Sequence, residues 1–154
     1  MALKVSIDTC ILLDLLFDDN IESINKIQKC HEDHEELVIC GVVYGELCPA
    51  FIKDGKDIDL FLSEMDIMVS FCNLSDYRYA GEKWNEYIRR RRFICPACGG
   101  TIELKCDKCG EEIKFRQHIP SDFLIGAFSA NQCDSLLTRD YGYYRTYFPG
   151  LRLF

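Results

Sequence analysis

Residues 3–7 (LKVSI) alternate apolar with polar and predict a strand, which ends at Asp8-Thr9 before ILLDLLF begins a helix. That helix is expected to stop near Asp18-Asp19-Asn20, and residues 21–34 predict a second, with Ile21, Ile24, Ile27 and Cys30 on one face. Residues 36–40 (ELVIC) form a short, continuously apolar strand of the kind buried on both faces of a parallel sheet. VVYGELCPAF then predicts a helix carrying Glu46, with Pro49 marking a bend or an early stop. Residues 57–65 fit a short amphipathic helix, and residues 67–71 (IMVSF) a third strand. A long helix follows over 75–92, N-capped by Ser75, whose Tyr79, Ala80, Trp84, Tyr87 and Ile88 recur at helical spacing and read as core. Pro120 opens the last main helix, residues 134–138 predict a fourth strand, and residues 150–154 (GLRLF) an edge strand. Strands alternating with helices point to an α/β fold around a mainly parallel sheet of four to five strands.

A chain of 154 residues suits one domain with room for a small insertion. No window is apolar for long enough to span a bilayer, and acids interrupt the N-terminal stretch where a signal peptide needs an unbroken apolar run. The expected location is the cytoplasm, without a membrane partner. The 10 cysteines fit that location, because six of them (Cys10, Cys30, Cys40, Cys48, Cys72, Cys133) are scattered through apolar segments as buried reduced thiols would be. His31 and His34 lie among Glu32, Asp33, Glu35 and Glu36 and read as a solvated helix end.

The other four cysteines are different. Cys95, Cys98, Cys106 and Cys109 follow the pattern C-x2-C-x7-C-x2-C, each pair trailed by glycine, with TIELK as the hairpin between them. Four soft ligands at this spacing suit a tetrahedral Zn²⁺, although two disulfides or an iron centre would use the same residues. Such a site has no open position, so its role is structural, and the metal supplies folding energy that so short a segment lacks. The expected division is therefore 93–115 as an inserted zinc ribbon, with 1–92 and 116–154 forming the main domain.

Net charge is −7, which argues against a generally basic nucleic-acid coat. Between residues 89 and 116, however, Arg89, Arg90, Arg91, Arg92, Lys105, Lys108, Lys114 and Arg116 face Glu103, Asp107, Glu111 and Glu112, an excess of +4 that leaves −11 on the remainder. Four cysteinates around one Zn²⁺ would reduce that local excess to about +2.

Candidate chemistry lies in the acids. Asp8, Glu46, Asp122 and Asp140 all fall at element edges, where a parallel sheet gathers its ligands. Singly, each has a structural reading: Asp8 as a helix cap, Asp122 as a favourable charge in a helix's first turn, Asp140 as a turn residue. Gathered, they repel one another, so that either their pKa values rise or a cation neutralises them. Oxygen-only ligands select Mg²⁺ or Mn²⁺, and such sites activate water against a phosphodiester. No His, Ser or Cys nucleophile with a partner base competes for the role.

The segments VSIDTCILLDLL, LVICGVVYGEL, IPSDFLIGAFSA and LLTRDYGYYRTYFPGLRLF, in this order, resemble PIN-domain ribonucleases of the VapC type, the toxin halves of toxin–antitoxin pairs. The resemblance covers nearly the whole chain apart from the cysteine insertion. It implies a PIN-like three-layer α/β/α fold and an Mg²⁺- or Mn²⁺-dependent endoribonuclease. In that reading Asp8 and Asp122 hold the metal most directly, Glu46 and Asp140 complete the shell or position water, and Thr138, with Thr9 or Ser121, orients a water or ligand. The implied partners are RNA, a cognate antitoxin and a second copy of the chain in a homodimer. The cysteine insertion departs from the plain family pattern.

On that reading Arg89, Arg90, Arg91, Arg92, Lys105, Lys108 and Arg116 contact RNA phosphates, while the alternative for the arginine run is a solvated helix end. Tyr141, Tyr143 and Tyr144 are either base-stacking platforms or packing residues. The reading from another class is a non-catalytic RNA- or protein-binding module with the acids as helix caps. A nuclease directed at DNA is a lesser variant, since no residue here reads a 2′-hydroxyl.

Overall fold

The computed structural model describes residues 2–17, 20–90, 93–95, 97–113 and 120–154. In chain order the elements are β1 (Lys4–Ile7), α1 (Thr9–Phe17), α2 (Ile21–Glu32), β2 (Glu36–Cys40), α3 (Gly41–Asp54), α4 (Ile58–Glu64), β3 (Ile67–Ser70), α5 (Leu74–Arg90), β4 (Phe93–Ile94), β5 (Thr101–Ile102), α6 (Ser121–Gln132), β6 (Ser135–Leu137) and α7 (Tyr141–Tyr147). Four strands form an all-parallel sheet in the order β3-β2-β1-β6. Val5, Ser6 and Ile7 on β1 are all fully buried, as are Leu136 and Leu137 on β6, so the centre of the sheet is covered on both faces. This is the three-layer α/β arrangement expected of the alternating pattern.

Helix starts follow side-chain chemistry. Asn20 caps α2 by accepting from the backbone N–H groups of Glu22 (2.9 Å) and Ser23 (3.3 Å), and Asp57 caps α4 in the same way. At α5 the cap is Asn73, not Ser75: Asn73 Oδ1 accepts from the N–H of Ser75 at 2.9 Å and of Asp76 at 3.1 Å. Ser75 instead spends its hydroxyl on the same oxygen, while Asp76 accepts from the Asn73 N–H at 2.8 Å, closing a reciprocal box.

Pro49 neither stops nor shortens α3, which runs on to Asp54 and ends at Gly55 with φ 63°. Val43, Leu47 and Phe51 lie a turn apart on one buried face, and packing that stripe outweighs the one hydrogen bond proline removes. The second helix ends at Glu32, two residues short of the expected end, because His34 adopts φ 56° and turns the chain into β2. Ile21 is exposed and only Ile27 and Cys30 of its expected face are fully buried. Residues 141–147, to which the hydrophobic pattern assigns no element, form α7. The expected C-terminal edge strand is reduced to a single parallel bridge, Leu136 to Leu153, because Leu151 N–H first turns back to bond Phe148 C=O at 2.9 Å.

The long helix is described to Arg90; Arg91, Arg92 and Arg116 lie outside the described residues, as do 18–19 at the end of α1. Helix α5 packs on α6 through aromatic rings, with Trp84 and Tyr87 meeting Phe123 edge-on at 5.6 and 5.7 Å. On α6, a Cβ at Gly126 would overlap the ring of Phe148, so that close approach requires glycine. Among the described residues no helix is long and apolar enough to cross a membrane.

Candidate active site

The C-terminal ends of β1 and β6 lie side by side, with Ile7 registered on Leu137. Asp8 and Thr138, the next residues of the two strands, therefore meet: Thr138 Oγ1 donates to Asp8 Oδ2 at 2.6 Å, and the Asp8 N–H bonds Leu137 C=O at 3.0 Å. Thr138 is fully buried and Asp8 is 6 % exposed. The Thr9 N–H donates to Asp8 Oδ1 at 2.7 Å, and the Cys10 thiol donates to Oδ2 at 3.6 Å. Asp8 is thus held from three sides, with both oxygens engaged. Burial, and in smaller measure Glu46, push its carboxyl above the usual range against those hydrogen bonds.

Glu46, exposed on α3, accepts a hydrogen bond from the Thr9 hydroxyl, which links the end of β1 to the helix that follows β2. Asp122 lies in the first turn of α6. Its carboxyl is pushed up to about 6, by burial first and then by Asp8, Glu46 and Asp140 in turn. All four candidate acids therefore share one field, although they come from β1, α3, α6 and the end of β6. Asp140 caps α7, accepting from the Tyr143 N–H at 3.2 Å, while its own N–H donates to Thr138 Oγ1 at 3.0 Å. Thr138 is the hinge of the group, touching Asp8 with its hydroxyl hydrogen and Asp140 with its oxygen. Among the described residues, no three His, Cys, Asp or Glu side chains stand close enough together to hold one ion between them. The acids thus share a field without being drawn into a closed coordination shell.

Several residues beside the site carry no local signal in the pattern. Asp14, 5 % exposed on α1, accepts from Ser23 Oγ at 2.5 Å and pairs with Arg139 at 3.0 Å, so the one cation between Thr138 and Asp140 in sequence is tied back to α1. Arg139 stood in the LLTRD segment and was legible there by position alone. Lys26 donates to the Tyr141 hydroxyl at 2.7 Å, and Lys26 Nζ and Arg145 Cζ each lie 5.4 Å from that ring's centroid. Tyr143 and Tyr144 are packed against each other and against Phe123, Tyr147 and Phe148, as the packing reading has it. Ser121, beside Asp122, is half-buried.

The cysteine segment makes two similar turns. In the first, the Cys95 N–H bonds Gly100 C=O and the Gly99 N–H bonds Cys95 C=O; in the second, Cys106 N–H bonds Glu111 C=O and Gly110 N–H bonds Cys106 C=O, all at 2.8 Å. Gly99 and Gly110 adopt φ 71° and 76°, the left-handed conformation in which their N–H groups close the turns on the Cys95 and Cys106 carbonyls. The Cys95 thiol is lowered by the backbone N–H groups of Cys98 and Ala97 and then by the Cys98 thiol, and Cys106 is lowered likewise by Lys108, Cys109 and the Cys109 thiol. Strands β4 and β5 pair antiparallel on either side of the first turn, and Lys105 and Glu112 bridge antiparallel on either side of the second, so TIELK serves both turns rather than folding into a hairpin of its own. Arg89, Arg90, Lys105 and Lys108 are exposed, Lys105 beside Glu103 at 3.8 Å.

No family model and no curated protein matches the chain. Among solved structures it is similar to a chain of the crystal structure of VapBC2 from Rickettsia felis bound to a DNA fragment from their promoter, with TM-score 0.66 and 17 % identity over 98 % of this chain and 97 % of that one. The fold is PIN-like. Near-complete coverage in both directions extends that likeness across the whole parallel sheet, and the acid-bearing ends of β1 and β6 lie within it. At 17 % identity the likeness speaks to the fold of the PIN-like chain and not to its chemistry.

Proposed function

We propose that this PIN-like chain is a divalent-metal-dependent endoribonuclease, with Asp8, Glu46, Asp122 and Asp140 as its acidic site and Thr138 as the residue that orients them. The observation that carries the reading is the hydrogen-bonded linkage of three acids, Thr138 joining Asp8 to Asp140 and Thr9 joining Asp8 to Glu46, beside Asp122, whose carboxyl is pushed up to about 6 by burial first and then by those three acids. The donor set is all oxygen, which fits Mg²⁺ or Mn²⁺ rather than a softer metal. Asp8 and Asp122 would hold the ion, with Glu46 and Asp140 completing its surroundings. When bound, the ion supplies an activated water and offsets charge on the departing oxygen of a phosphodiester.

The chain's own residues do the positioning. Thr138 fixes Asp8 in one rotamer and ties it to Asp140. The Thr9 hydroxyl holds Glu46 toward the same rim, and the Thr9 N–H holds the other oxygen of Asp8. Because these bonds are formed before any substrate arrives, little reorganisation is left for the reaction.

The remaining roles follow the same resemblance. Residues 93–115 form a zinc ribbon on Cys95, Cys98, Cys106 and Cys109, inserted in a nuclease domain made of 1–92 and 116–154. The lowered Cys95 and Cys106 thiols and the two matching turns support thiolate ligation, and Zn²⁺ would draw the two pairs together. The chain acts in the cytoplasm as a homodimer and as the toxin of a pair with a cognate antitoxin. Exposed Arg89, Arg90, Lys105 and Lys108 contact RNA phosphates.

The experiment is cleavage of a labelled single-stranded RNA in Mn²⁺ by the wild-type chain and by Asp8→Asn and Asp122→Asn. The expected result is cutting by the wild type and a loss of at least about 100-fold in both variants at unchanged melting temperature. A second reading, a binding module that cuts nothing, is favoured by the absence of any three described ligands gathered for an ion. RNA bound but intact under every divalent metal would establish it.

A further inference from the structure

Cys40 and Cys72 stand 32 residues apart in the chain, yet their sulfurs lie 3.4 Å from each other. The sheet brings them there. Cys40 ends β2 in register with Ser70 at the end of β3, and Cys72, two residues further on, returns to the same face. Both backbones are pinned. Cys40 runs straight into α3, where Gly41 leaves so little room that a Cβ would stand 3.0 Å from the Phe71 ring. On the other strand the Phe71 C=O accepts from Gln132 Nε2 at 3.2 Å, and the Asn73 N–H donates to the buried carboxylate of Asp76 at 2.8 Å. Cys72 is therefore held on either side, and the two sulfurs need only side-chain rotation to close from 3.4 Å to a bond length of about 2 Å.

Other thiols of the main domain are engaged differently: Cys48 donates to the Tyr44 C=O at 3.3 Å, and Cys10 to Asp8 at 3.6 Å. Two thiols in contact can be mere filler in a dry core. These two are not sealed in. Together with exposed Phe71 and Tyr77 they line a cleft of about 260 Å³, and Cys72 is half-buried while Cys40 is fully buried. A small oxidant entering the cleft thus reaches Cys72 first, with Cys40 already in place behind it.

We propose that Cys40 and Cys72 are a redox modification site, a dithiol that a hydroperoxide converts to a disulfide and that a small thiol restores. In the first step Cys72 Sγ attacks one peroxide oxygen, the O–O bond breaks, the other oxygen takes the thiol proton and leaves, and Cys72 becomes a sulfenic acid. Cys40 Sγ then attacks the Cys72 sulfur, the S–OH bond breaks, and water leaves with the Cys40 proton as the S–S bond forms. The two thiols give up two electrons and two protons, and one hydroperoxide is reduced. Reduction runs by exchange, two small thiols becoming a disulfide as both cysteines regain their protons. Burial first and then the Cys40 thiol push the Cys72 thiol up to about 12, so the first step is slow and the pair rests as a dithiol; the second step is intramolecular and fast. The bond ties the β2–α3 junction, from which the helix bearing Glu46 runs, to the chain entering α5. None of this depends on the acids cutting RNA.

The test treats the full chain, with Zn²⁺ supplied, with excess hydrogen peroxide, alkylates the remaining thiols in denaturant, and maps peptides by mass spectrometry before and after reduction. The wild type should yield peptides joined through Cys40 and Cys72, short of two hydrogens, which dithiothreitol separates. Cys30→Ser, which removes a different buried thiol of the same core, should give the same joined peptides. Cys40→Ser should lose them and leave Cys72 as a sulfenic acid that dimedone captures, whereas dimedone should capture none in the wild type. Cys72→Ser should lose them and leave Cys40 oxidised at least about 10-fold less than in the wild type, since the cleft reaches Cys72 first. Full alkylation of Cys40 and Cys72 in the peroxide-treated wild type overturns the proposal. So does oxidation of either one singly without a bond between them, or a bond from Cys72 to Cys30 or Cys48 in its place.

Discussion

The acidic site and the cysteine segment are two ways of gathering like-charged groups. Asp8, Glu46, Asp122 and Asp140 span more than 130 residues of chain; Thr138 ties Asp8 to Asp140 because β1 and β6 are neighbours in the sheet, and Thr9 ties Asp8 to Glu46 on α3. The cysteines span 15 residues and are arranged by two local turns, each closed by its own backbone bonds and a left-handed glycine. In the first case the core holds the charges together against their repulsion. In the second the backbone N–H groups prepare the thiolates, but within the described residues the two pairs remain apart. A core-held site should tolerate loss of its ion, and a locally turned one should not.

The sharpest way to break that contrast is to remove the Zn²⁺ proposed for the cysteines. Cys106→Ser, or a strong chelator, should abolish protection of backbone amides in residues 93–113 while the sheet amides of β1, β2 and β6 exchange as before. Hydrogen exchange by mass spectrometry reads both regions in one sample. Equal protection of 93–113 with and without metal would make the segment self-supporting and remove the contrast.

Next in size is a break in the scaffold itself. Asp76 is fully buried at the start of α5 and accepts from Asn131 Nδ2 at 2.8 Å, from Gln132 Nε2 and from the Asn73 N–H, tying α5 to the far end of the helix that carries Asp122. Asp76→Ala strands those donors and should cost about 3 kcal/mol, read as a shift of the urea midpoint. The cysteine turns, which make no hydrogen bond to that network among the described residues, should bind the proposed Zn²⁺ as the wild type does.

What could be read from the chain alone follows the same division. Cysteine spacing is local, and the turn that glycine makes after each pair was legible from it. Asp8 and Asp140 were legible because an apolar strand runs up to each, which places them at the sheet edge without knowledge of the partner strand. Asp76 and Asp14 were not, because Asn131, Gln132, Ser23 and Arg139, the groups that explain their burial, lie far along the chain or one helix away. Helix α7 escaped because YGYYRTY has no apolar period; its order comes from the Asp140 cap and from rings packed against Phe123. Pro49 misled because a local breaker was weighed without the buried stripe on either side of it.

A gentler probe is pH. The carboxyl of Asp122 stands at about 6 in the folded chain against an ordinary value of 3.8. Between those two values the folded state holds the proton more tightly than the unfolded one, so stability without metal should fall as pH rises through that window and level off above it. Mn²⁺ at pH 7 should restore it, and Asp122→Asn should flatten the slope. Thermal melts in chelator from pH 4 to pH 7 check this; a slope unchanged in Asp122→Asn would mean that the Asp122 carboxyl is not raised in the folded chain.

The smallest effect expected joins the two regions. Lys105 pairs with Glu103 in full solvent, a contact that should contribute next to nothing to stability, and Lys108 is likewise exposed. If the cysteine segment presents these charges to the RNA that the acids cut, Lys105→Ala and Lys108→Ala should leave the melting temperature unchanged, and each should lower the salt dependence of RNA binding by about one counterion. The loss in affinity should be the same for any RNA sequence, since a phosphate contact carries no base information. A salt slope identical to wild type in the double variant would confine RNA to the core-held region and leave the cysteine segment a different partner.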